Sequence, residues 1–267
     1  MHDLYHPLLP FEVIMLRRLF DFLGKRFKGQ LKEPISFLFP TSHKLERLRA
    51  EINRLTDSDD MSRRIELCRE MLELVERETQ AQWWAWSHLN LAYSLQLNSL
   101  DSSADNLEEA IFHYNLALEV YTRRAFPEKW VLTINNLANV YYHRIKGERA
   151  DNLEEAIYYY KQAQTVYTRK VFPYEWARTM NNLGETYSHR IRGERADNLE
   201  EAIFYYKQAQ KVYTRQAFPS EWARTMNNLS IAFKDRIRGE RADNLEKAIS
   251  YYKQVVEVYI NEGFPSE

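Results

Sequence analysis

The stretch RADNLEEAI runs from Arg149 to Ile157 and recurs from Arg195 to Ile203, and RADNLEKAI follows from Arg241 to Ile249. Each step is 46 residues, and a more diverged copy, SADNLEEAI, begins 46 residues earlier at Ser103. The same register extends beyond the identical strings. Ile65, Ile111, Ile157, Ile203 and Ile249 share it, as do Leu45, Leu91, Leu137, Leu183 and Leu229. Residues 149–194 match 195–240 at about three quarters of positions, a mark of recent duplication. A fixed period of this length is the signature of a solenoid, in which one supersecondary unit buries its apolar side only by stacking on the next. We read five units, the first (about 41–80) degenerate, four in 81–267, and a distinct segment over 1–40.

Within a unit the pattern predicts two helices. The first covers Pro173 to about Arg192. Pro173 suits a first helical position, where the missing N–H costs nothing, and Gly193 suits a stop. The second covers about 198–215, with Asp197 and Glu200 spaced as a capping box. Ala202, Ile203, Tyr206, Ala209, Gln210 and Tyr213 then follow helical spacing along one face. The Tyr and Trp stripe is read as core.

The motif Met180-x2-Leu183-Gly184-x2-Tyr187, then Ala202-x3-Tyr206, then Pro219, resembles the tetratricopeptide pattern, with Met in place of its first Trp. A period of 46 also fits HEAT repeats, but the Leu-Gly and Ala-x3-Tyr spacing favours the tetratricopeptide reading. The strings TINNLANVY and TMNNLGETY resemble repeats of kinesin light chain. The whole unit resembles bacterial, especially cyanobacterial, tetratricopeptide arrays, which often precede a caspase-like CHAT peptidase or sit in a signalling ATPase. The likeness is strong over 81–267, weak over 41–80 and absent over 1–40. It implies an all-α solenoid of helical hairpins wound as a right-handed superhelix, with a concave groove for an extended peptide.

The groove candidates follow from the same register. Asn90, Asn136, Asn182 and Asn228 form a ladder, and Asn135, Asn181 and Asn227 precede three of its rungs. Asn is a mediocre helix former, so its recurrence within a helix needs a cause. In kinesin-light-chain-like arrays the matching Asn bonds the peptide backbone, and an amide both donates and accepts. The alternative is that these side chains pin one unit to the next. Around the ladder lie Arg178, Arg224, Asn139, Glu185, Tyr142 and Lys234, with basic character rising toward Arg224 and Lys234, which would favour an acidic segment.

Other chemistry finds little support. The 37 Lys and Arg against 38 Asp and Glu leave no basic excess for nucleic acid. No metal-ligand spacing, phosphate loop or nucleophile set occurs, so neither catalysis, metal nor cofactor is expected. A single cysteine, Cys68, points to a reducing cytoplasm. Residues 11–28 form an amphipathic helix pattern, read as a cap on the first unit or as a membrane-surface helix. The last helix keeps Ile249, Tyr252 and Val256 apolar, and the sequence stops at Glu267, where a further unit would begin. That end is expected to pair with a second copy or to mark a longer array. The expected function is a non-enzymatic adaptor binding a protein or peptide. Two alternatives stand: a recruitment arm of a larger bacterial effector system, and a peripheral membrane protein docked by 11–28.

Overall fold

A computed structural model describes residues 40–56, 60–98 and 104–262. The amphipathic stretch 11–28 and the final residues 263–267 lie outside them. The chain divides into two compact units, Met1–Arg49 and Ala50–Glu267. Among the described residues there are ten helices and no strand. They are α1 (Pro40–Arg54), α2 (Met61–Leu72), α3 (Arg77–Leu97), α4 (Ala104–Val120), α5 (Pro127–His143), α6 (Arg149–Ala163), α7 (Pro173–His189), α8 (Arg195–Ala209), α9 (Pro219–Asp235) and α10 (Arg241–Glu262). From α3 onward they pair as hairpins, α3/α4 through α9/α10, and each hairpin packs on the next. This is the all-α solenoid that the 46-residue period predicts. No helix among the described residues is long and apolar enough to cross a membrane.

The first helix of each hairpin starts where proline permits. Pro127, Pro173 and Pro219 occupy the first turn behind Phe126, Phe172 and Phe218, whose extended φ of −140°, −129° and −145° sets the entry. Tyr121, Tyr167 and Tyr213 meet those phenylalanines edge to face at 5.6, 5.6 and 5.7 Å. The recurrent Phe-Pro pair is thus an apolar corner between one hairpin and the next.

The other connection explains the recurring GERADN string. Gly147, Gly193 and Gly239 hold φ of 78°, 78° and 81°, a left-handed backbone that costs other residues about 1–2 kcal/mol. The arginine three positions earlier then grips the preceding hairpin. Arg190 donates from Nε and Nη2 to Glu154 at 2.8 and 3.0 Å. Arg144 holds Glu108, and Arg236 holds Glu200, in the same bidentate way. Buried Asn198 locks the turn itself, accepting from Arg190 Nη1 at 3.3 Å and donating to the Arg192 carbonyl at 2.9 Å.

Two local expectations change here. The second helix begins at Arg195, not near Asn198, and no side chain caps it. Asp197 in its first turn and Glu200 in its second pair with Arg238 and Arg236 of the following hairpin. The carboxylates read as a capping box serve the stacking of units. The helix also ends at Ala209 rather than near 215. There Lys211 and Val212 bond the carbonyls three residues back, a tightening that closes the last turn.

The core runs along the hairpins. Ile203 and Tyr206 of α8 are 5% and 2% exposed, covered by the next hairpin, whereas their counterparts Ile249 and Tyr252 in α10 are 53% and 54% exposed. Val255 and Val258 face inward and are buried, and Val256 is half-buried.

One buried polar pair stands apart. His88 of α3 and His113 of α4 stack at 4.9 Å with their Nδ1 atoms 2.9 Å apart. Such a contact needs one Nδ1 to donate and the other to accept, so the two rings cannot both be protonated. Burial, reinforced by the neighbouring His113, pushes His88 down to about 4. Burial also lowers His113, against the pull of Glu109. The unfolded chain therefore binds more protons than the folded one between these values and the ordinary 6.5. Stability from this pair is complete above about pH 6.5 and is lost as pH falls toward 4. Melting temperature should decline over that window more steeply in the wild type than in His88→Gln; equal slopes would contradict this.

Candidate binding face

Three successive first helices, α5, α7 and α9, build one polar wall. A cavity of about 260 Å³ opens in it, lined by Asn139, Tyr142 and His143 of α5, Tyr160 of α6, Asn182 and Glu185 of α7, and Arg224 and Asn228 of α9. Six of these eight were singled out from the sequence as groove candidates.

The bonds within the cavity explain its shape. Asn139 Oδ1 accepts from the Tyr160 hydroxyl at 2.6 Å and from Asn182 Nδ2 at 3.1 Å. Tyr142 donates to Glu185 at 3.1 Å, and its oxygen lies 3.2 Å from His189 Nδ1. Burial raises the Tyr142 and Tyr160 hydroxyls and, above all other causes, lowers His143. These three groups stay neutral, so the charged groups lining the cavity are Glu185, engaged by Tyr142, and Arg224. Neither Arg224 nor Arg178 forms an ion pair with a described residue, and Arg178 Nε is buried without a hydrogen-bond partner.

The two asparagines of each Asn-Asn pair divide their work. Asn135 and Asn181 are buried, and the hydroxyls of Thr179 and Thr225 on the following hairpin meet their side chains at 3.0 and 3.1 Å. These contacts link one hairpin to the next. Asn182 and Asn228 face the cavity instead. Asn227 has no threonine of a later hairpin to meet among the described residues and is half-buried. The ladder is not uniform along its length. Asn90 accepts from Arg64 Nη2 at 2.8 Å, and Asn136 is buried and bonded to Tyr114. Lys234 is exposed at the end of α9, outside the cavity. Tyr160 and His143 were not among the candidates. The signal for Tyr160 is its place in the Ala-x3-Tyr motif, read as core, yet its hydroxyl reaches the polar wall.

The tetratricopeptide repeat family model matches residues 130–163, 176–208 and 222–261, each a hairpin in the register described above. These are tetratricopeptide repeats. The Sel1 repeat model matches residues 87–119, the α3/α4 hairpin. Tetratricopeptide and Sel1 repeats are generally non-catalytic modules of protein–protein interaction. Among solved structures, the chain is similar to that of BtubC (BKLC) from P. vanneervenii. The TM-score is 0.63 at 17% identity, covering 98% of this chain and 96% of that one, a likeness of fold. No curated protein matches the chain.

Cys68 is buried in α2, where desolvation pushes its thiol up to about 12, far from a reactive thiolate. Among the described residues no group of three or more His, Cys, Asp or Glu side chains converges as metal ligands would.

Proposed function

We propose that the array is a non-enzymatic adaptor that holds an extended, acidic peptide segment of another protein along the wall of α5, α7 and α9. The observation that carries this reading is the cavity in which Asn182 and Asn228 stand beside the guanidinium of Arg224, which has no ion pair with a described residue. An extended peptide exposes backbone N–H and C=O groups that no helix or sheet satisfies. Asparagine amides supply both complements at fixed spacing, and Arg224 with Arg178 supplies the counter-charge. Such a partner, and the single buried Cys68, fit a reducing cytoplasm. The test is a panel of fluorescent peptides graded in Asp and Glu content. Acidic members should bind and basic ones should not; indifference to peptide charge would refute the reading.

A second property follows from the α10 face. Ile249 and Tyr252 stand where Ile203 and Tyr206 pack against the next hairpin, so the exposed pair retains the chemistry of a stacking interface. We propose that two copies meet there with two-fold symmetry. Sedimentation across concentrations should show a dimer, and Ile249→Glu and Val256→Glu should return it to monomer. A monomer at high concentration, unchanged by those substitutions, would overturn the proposal.

A further inference from the structure

The second helices of successive hairpins carry a cation–aromatic arrangement that changes in the last hairpin. Lys161 Nζ of α6 lies 5.4 Å from the ring centroid of Tyr187 on α7. Its ammonium is held protonated by a bond to the Tyr187 hydroxyl, against desolvation, and by the nearby carboxylate of Glu201. Between α8 and α10 the matching lysine is Lys207, 5.4 Å from Phe233, which has no hydroxyl to offer. The carboxylate is gone as well, because RADNLEKAI places Lys247 where Glu109, Glu155 and Glu201 stand in earlier hairpins. Lys247 Nζ lies 5.7 Å from the same Phe233 centroid, and the Arg236 guanidinium lies at 5.7 Å.

Three cations therefore surround one ring. Only Arg236 is neutralised, by the Glu200 carboxylate at 2.7 and 3.0 Å. Neither lysine makes an ion pair with a described residue. A cavity of about 400 Å³ opens between them, floored by Phe233 and Tyr251, which stack at 5.6 Å, with Ser250 on its rim. Two uncompensated ammonium groups over one aromatic surface repel each other unless an anion sits between them.

We propose that this cavity binds a phosphate group. The two surplus positive charges match the near-dianionic charge of phosphate at neutral pH, and ammonium groups bind phosphate as point charges. The space exceeds a bare phosphate, and its aromatic floor suits a ring attached through a monoester. The site is separate from the peptide wall of α5, α7 and α9 and does not depend on that reading.

The repeats supply their own controls. Lys247→Glu restores the residue found at this place in three other hairpins, so it leaves folding intact, which circular dichroism checks. Glu201→Lys with Tyr187→Phe rebuilds the same constellation around Lys161. Calorimetric titration at matched ionic strength would use inorganic phosphate and phenyl phosphate as the probes. The wild type should bind one equivalent, Lys247→Glu should weaken binding at least about tenfold, and the rebuilt variant should bind two equivalents. Tighter binding of phenyl phosphate would assign the site to an aryl monoester, and equal binding to the free anion. No binding to the wild type, or binding unchanged by Lys247→Glu, would overturn the proposal.

Discussion

Tyr206→Ala is expected to destabilise the array by about 3–5 kcal/mol, and Tyr252→Ala by no more than about 0.5 kcal/mol in dilute solution. The two tyrosines occupy the same position, 46 residues apart, on the same type of helix. Only their surroundings differ. Tyr206 is 2% exposed and its ring fills the space beside Gly184, where an added Cβ would approach the ring atoms within 2.7 Å. Removing that ring leaves a cavity that the backbone of α7 cannot close without shifting. Tyr252 is 54% exposed and its loss leaves no hole. Urea unfolding of both variants, with Tyr206→Phe retaining most of the stability, checks the difference. Equal destabilisation by the two alanines would mean that the stacking of hairpins is not what holds the core.

The second large effect is on binding. Replacing Asn182 and Asn228 by Ala together with Arg224→Glu should reduce affinity for an acidic peptide by about 100-fold, the loss of three charge-assisted or amide bonds at about 1 kcal/mol each. Melting temperature should fall only by the loss of the Asn182–Asn139 bond, because Arg224 is exposed and Asn182 and Asn228 are only half-buried. Asn136 is left intact because it is buried and bonded to Tyr114, so its loss would confuse binding with folding. The matching control is Asn181→Ala. It removes the contact with Thr225 and should lower stability while leaving peptide affinity near the wild-type value. Fluorescence anisotropy and thermal melting on the same samples separate the two effects.

Much of the fold was legible because one period carries it. Pro173, the Leu183-Gly184 pair and Ala202-x3-Tyr206 each recur or match a motif, and each marks a hairpin feature that the structure places as expected. What escaped the sequence are the roles set by partners about 40 residues away. Asp197 and Glu200 look like a local cap, yet their partners Arg238 and Arg236 lie 41 and 36 residues on. The adjacent asparagines read as one feature. On a helix, neighbours differ by about 100°, so Asn181 faces the next hairpin while Asn182 faces the open wall. The recurring threonines Thr133, Thr179 and Thr225 were the available signal. Thr179 and Thr225 share the 46-residue spacing and are the residues that take up Asn135 and Asn181.

The most direct test of the central claim is a charge-swap cycle on the peptide wall. Affinities are measured for the best-binding acidic peptide and for its counterpart with one Asp or Glu changed to Lys, each against the wild type and Arg224→Glu. If Arg224 reads an acidic side chain, each single change weakens binding and the double change restores much of it, a coupling of about 1 kcal/mol or more. Additive losses with no recovery at any peptide position would contradict the account.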